Sequence, residues 1–109
     1  MGENIKSIIF AAKKVVPRKV FKKARKLKDK EEKKEALKYL IKVHLDLKLH
    51  KLDMMLRDLE KKEVDVFHIR QRTNLLNTKI HSYIKTYHKS DFSKLMKLFG
   101  KVEKDLDEL

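Results

Sequence analysis

Ile5, Ile8, Ile9, Ala12 and Val16 recur at helical spacing behind Asn4, a residue type that caps helix N-termini well. Pro17 interrupts this pattern, because it donates no backbone hydrogen bond and suits the first turn of a new helix. A second helix of about three turns is predicted over the stretch that follows. At about 100° per residue, Val16, Val20, Ala24 and Leu27 cluster on one side with Phe21 at their edge. Arg18, Lys19, Lys22, Arg25 and Lys26 take the opposite side. Asp29, followed by Glu32, has the form of a capping box and starts a long helix over residues 30–62. Leu37, Leu40, Ile41, His44, Leu45, Leu47, Leu52, Met55, Leu56 and Leu59 give that helix a wide apolar arc, enough for two neighbours. Its ~33 residues would span about 50 Å.

KKEVD (residues 61–65) reads as a turn, with Asp65 as the next cap. Beyond it Val66, Ile69, Thr73, Leu76, Ile80, Tyr83 and Tyr87 alternate steps of three and four, a heptad seam. Across so short a turn, this helix is expected to fold back antiparallel on the long one. Ser90 is the expected cap of a last helix carrying Phe92, Leu95, Met96, Phe99, Val102 and Leu106 on one stripe. Gly100 interrupts the stripe at a cost of about 1 kcal/mol relative to Ala. The acids of the tail lie where the helix dipole disfavours them, so fraying is expected there.

The pattern predicts an all-α fold. A long antiparallel hairpin of residues 30–62 and 65–89 carries additional N- and C-terminal amphipathic helices, giving a four- to five-helix bundle. Residues 1–28 form a basic amphipathic N-terminal unit and 29–109 the bundle, and the two can close into one compact domain. Composition agrees. Two Gly and one Pro are too few for the turns of an all-β fold. With no Cys, disulfides, thiolate metal sites and Cys nucleophiles are excluded. No apolar run approaches the roughly 18 residues of a membrane span. MGENIKSIIFAAKK lacks the basic start of a secretory signal, and Lys6 breaks the myristoylation pattern. The expectation is a cytoplasmic protein.

Charge changes the picture most. The chain carries 29 Lys and Arg against 16 Asp and Glu, a formal +13. Residues 1–30 hold 11 of the basic residues and 2 of the acids, and the tail from 101 is net acidic. A one-sided basic face binds phosphates by counterion release, with little dependence on base sequence and steep dependence on salt. Arginine adds bidentate phosphate contacts, and lysine acts as a point charge. The expected nucleic-acid surface is Lys13, Lys14, Arg18, Lys19, Lys22, Lys23, Arg25 and Lys26, extended by Arg70, Arg72 and Lys79 if the fourth helix lies alongside. The partner is DNA or RNA, touched at its backbone, since zinc-finger spacing, the RNA-recognition aromatic signature and a GXXG loop are all missing.

Two other partners compete. Ile5, Ile8, Ile9, Phe10, Val15 and Val16 could enter a membrane surface while Lys13 and Lys14 meet anionic headgroups. Alternatively, the chain is a helical adaptor or self-assembling protein whose basic N-terminus docks on a membrane surface or an acidic protein partner, with the seam of residues 66–87 open to a homo-oligomer. Chemistry has less support. Asp46, His50 and Asp53 share a helical face at metal-ligand spacing, and His81 and His88 lie seven apart, yet HExxH and paired Glu-x-x-His motifs are missing. His44, within the apolar arc, reads as a packed histidine bonded to a neighbour. With no Gly-rich phosphate loop and no GxSxG elbow, no enzyme, cofactor or metal is called for.

Overall fold

Asn4 caps the first helix through its side chain, whose Oδ1 accepts the Lys6 N–H at 2.9 Å. The computed structural model describes residues 4–109. They form α1 (Ile5–Val15), α2 (Arg18–Arg25), α3 (Lys30–Lys61), α4 (Phe67–Thr86) and α5 (Lys89–Asp107). No strand occurs among the described residues. Pro17 separates α1 from α2. Asp29 caps α3, and its Oδ1 accepts the Glu31 N–H at 3.0 Å. The 32 residues of α3 set the longest dimension of the molecule, which measures 52 × 28 × 17 Å.

α1 packs on α3, α3 on α4, α4 on α5, and α5 returns to α1, so four helices close a bundle. α2 lies outside that ring, against α3 and α1. One core runs through all five helices. Its fully buried members include Ile8 of α1, Leu37, Ile41, Leu45 and Leu56 of α3, Leu76 and Tyr83 of α4, and Leu95 and Val102 of α5. The heptad seam faces this core: Ile69, Thr73, Leu76, Ile80, Tyr83 and Tyr87 are all buried within the chain. Thr73 fits because its hydroxyl donates to the Ile69 carbonyl one turn back, at 2.9 Å. His44 is half-buried and its Nδ1 donates to the Leu40 carbonyl at 2.8 Å.

Three local expectations are corrected. The α3–α4 turn ends α3 in a Schellman arrangement, with Val64 N–H on the Leu59 carbonyl and Glu63 N–H on that of Glu60. Glu63 sits there at φ 62°, where glycine is the usual residue. α4 starts at Phe67, two residues after Asp65, whose Oδ1 accepts the Phe67 N–H. The cap of α5 is His88, and Ser90 falls inside the first turn. The shift follows from Tyr87, which stops α4 in the left-handed region at φ 54° with its N–H on the Tyr83 carbonyl. An aromatic residue is unfavourable there, and tertiary contacts hold it. Its hydroxyl donates to the Lys38 carbonyl at 3.2 Å and its ring meets Tyr83 at 5.2 Å. The C-terminal acids do not end α5 early: Leu106 is buried, and Asp105 binds Arg72.

Candidate nucleic-acid interface

α2 reads RKVFKKAR, with five of eight residues basic, and no Asp or Glu occurs between residues 4 and 28. The face buried by α2 differs from the expected one. Phe21 and Ala24 are buried together with Val16, whereas Val20 and Leu27 are 37% and 36% exposed. Phe21 has the largest apolar area on the helix, and turning it inward gains the most from burial, about 2–3 kcal/mol. The basic side still points away from the core. Lys13, Lys14, Arg18, Lys19, Lys22, Lys23, Arg25 and Lys26 are all exposed.

Charge acts on this helix in both directions: Lys22, Lys23 and Arg25 lie in its last turn, where the helix dipole favours cations. Arg18 and Lys22, Lys19 and Lys23, and Lys22 and Lys26 are like-charged pairs four residues apart, each costing about 0.2–0.5 kcal/mol. Arg18 and Lys19 also face the positive end of the helix dipole, and Pro17 supplies no side-chain cap. The like-charge repulsions and the favourable last turn are of similar size, and burial of Phe21 holds the helix on the core. Among the described residues, no carboxylate forms an ion pair with any of the eight cations. Where an aromatic ring is near, a cation turns to it. The Arg25 guanidinium lies 6.0 Å from the Phe21 ring centre, and the Lys14 ammonium 5.1 Å from that of Phe10.

The cations of α4 have a different environment. Arg70 reaches back to α3 and binds both Asp53 and Glu60. Hydrogen bonding to Glu60 is the largest influence on its guanidinium, opposed by partial burial and reinforced by Asp53, and the balance holds its pKa above the ordinary value. Arg72 reaches the other way and binds Asp105 of α5. α4 is thereby tied to both neighbours, and Lys48 adds a link between α3 and α5 through Glu103 at 3.2 Å. Lys79 is half-exposed on α4. α2 and α4 do not touch. The structure therefore leaves the eight N-terminal cations exposed, six of them on or next to α2 and two at the end of α1, and pairs Arg70 and Arg72 with carboxylates within the fold.

The remaining sequence candidates find other settings. Asp46, His50 and Asp53 line an open polar groove with Thr73, Asn74 and Asn77 of α4. Asp53 is already bound there by Arg70 and, at 3.0 Å, by Arg57. Among the described residues no three His, Asp or Glu side chains converge as metal ligands would. Of the apolar residues expected to enter a membrane, Ile8 and Val16 are core and Ile9 and Val15 pack against it. No helix of the described residues is long and apolar enough to cross a membrane. Tyr39, Leu47 and Met54 stand exposed on α3, on the side away from Ile41 and Leu45. Compared with models of known families, with curated proteins and with solved structures, the chain matches none.

Proposed function

We propose that this protein binds the nucleic-acid phosphate backbone, without base readout, through the exposed basic face of residues 13–26. One observation supports the reading above the others: eight cations are exposed over residues 13–26, two at the end of α1 and six on or next to α2, and among the described residues none pairs with a carboxylate. Elsewhere in the fold Arg57, Arg70, Arg72 and Lys48 are balanced locally. Unbalanced charge on one face releases counterions when phosphates replace them, and the strength of binding follows the number replaced. Charge alone gives any protein of +13 some affinity at low salt, so the test is made near physiological salt. Submicromolar anisotropy binding to DNA or RNA near 0.15 M salt, lost in the Lys19→Glu, Lys22→Glu, Arg25→Glu variant with helicity intact, supports the reading. Binding that vanishes by that salt for every polyanion overturns it.

A second reading, a helical adaptor, draws on Tyr39, Leu47 and Met54, exposed at 67%, 49% and 54% along α3. A protein partner would cover them while the basic helix meets an acidic surface. Leu76 and Ile80 are core residues, so their substitution reports stability rather than assembly. Leu47→Glu is the informative change: it would abolish an adaptor's assembly and leave polyanion binding unchanged.

A further inference from the structure

α1 and α2 carry two aromatic residues, and they are treated differently. Phe21 is buried at 6% exposure, whereas Phe10 remains 36% exposed. Phe10 is not loose. Its ring meets Phe92 of α5 edge to face, at 6.2 Å between centres and 81° between planes. Two ammonium groups lie against it, Lys14 at 5.1 Å and Lys89 at 4.8 Å from the ring centre. Neither lysine is in an ion pair among the described residues. The result is one braced aromatic ring with two ammonium groups against it, on the helix that precedes α2.

We infer that Phe10, Lys14 and Lys89 form a nucleotide subsite in which an unpaired base stacks on the Phe10 ring and the two lysines take its flanking phosphates, so that single-stranded nucleic acid is preferred over duplex. This inference rests on the backbone-binding reading above and adds a substrate class to it. The chemistry matches in both parts. A nucleotide in a single strand offers a π face and a phosphate together, and stacking of the base on an aromatic ring strengthens binding whatever the base. In a duplex the base faces are already stacked on each other and cannot use the ring. An exposed ammonium gains less from a ring face than from a charge-assisted hydrogen bond, so exchange of the ring for a phosphate oxygen is favourable and uncovers the ring face. The surroundings argue against a lipid surface as the occupant. Insertion would need the neighbouring apolar residues, and Ile8, Ile9, Val15 and Val16 are already committed to the core.

The test uses the full chain with a labelled oligothymidine and a duplex of equal length, at about 0.15 M salt. Phe10→Leu keeps an apolar contact with Phe92. It should weaken oligothymidine binding about tenfold and leave duplex binding unchanged. Phe10→Trp should bind oligothymidine as tightly as the parent. The chain has no tryptophan, so that indole reports alone, and its emission should be quenched by the strand. Circular dichroism checks that each variant folds, and the tryptophan variant decides the matter if the leucine variant does not. Tight binding of both nucleic acids with no effect of Phe10→Leu and no quenching overturns the subsite but leaves the basic face standing. Failure of the parent to bind either probe overturns both. A blue shift of the indole with phosphatidylserine vesicles, without quenching by oligothymidine, also overturns the subsite, in favour of a membrane.

Discussion

Arginine has opposite uses in α2 and α4. Arg18 and Arg25 are exposed on a helix without a single acidic residue, and the nearest interaction of Arg25 is a phenyl ring. Arg70 and Arg72 each cross an interhelical gap to a carboxylate, one toward α3 and one toward α5. The arginine charge of α4 is therefore balanced within the fold, and it ties α4 to α3 and α5. Charge in α2 is paired with no carboxylate among the described residues. The proposed partner outside the chain rests on this contrast: the α2 arginines pair with no carboxylate among the described residues, and the α4 arginines do. The difference also shows why a count of basic residues misleads: both helices contribute to the +13, and α2 leaves all of its share unneutralised.

The strongest way to break this contrast is to remove the anchor of α2. Phe21→Ala should destabilise the protein by about 3 kcal/mol, read by urea unfolding, because a buried phenyl is lost from a short helix with little else to hold it. α2 should then contribute less helical signal at a temperature where the bundle persists. Charge reversal at Lys19, Lys22 and Arg25 should do the opposite. It should leave stability equal or improved, since like-charge pairs are removed, and reduce affinity about 100-fold at physiological salt. In α4, Arg70→Gln should cost about 1–2 kcal/mol in unfolding free energy, because Asp53 and Glu60 lose a shared partner in a half-exposed site. Its effect on polyanion affinity should be small by comparison. The smallest effect sharpens the picture of α4 as a packing element. The Tyr83 hydroxyl is buried without a hydrogen-bond partner among the described residues, and burial pushes its pKa up. Tyr83→Phe should therefore be neutral or stabilising by up to about 1 kcal/mol, seen as a higher Tm.

Helices and seams were legible because their signals are local and repeated. Asn4, Pro17 and Asp29 mark boundaries through their own chemistry, and the seam from Val66 to Tyr87 needs no tertiary information to be seen. The start of α5 was not legible, because it depends on Tyr87 adopting a conformation that aromatic residues avoid, fixed by a backbone carbonyl 49 positions away. The rotation of α2 escaped for a related reason. A helical wheel weighs Val20 and Phe21 alike, and two turns give too few positions to outvote one large ring. The basic candidates divided along the same line. Those of residues 13–26 were readable as a set, since nothing acidic lies near them in sequence. The pairing of Arg70 with Asp53 and of Arg72 with Asp105 joins residues 17 and 33 positions apart, which charge counting in segments cannot see. Phe10 looked like one apolar residue among several until the core took the others.

On the proposed reading, the cations of α2 act outside the fold and the two arginines of α4 within it. The most direct measurement is the slope of log affinity against log salt for a polyanion, in the parent and two neutralised variants. Lys19→Gln, Lys22→Gln, Arg25→Gln should flatten the slope by about 3 units for duplex, close to 0.9 per phosphate contact removed. Arg70→Gln, Arg72→Gln should leave it within about half a unit of the parent. Equal flattening by the two variants, or none by the first, would contradict the account.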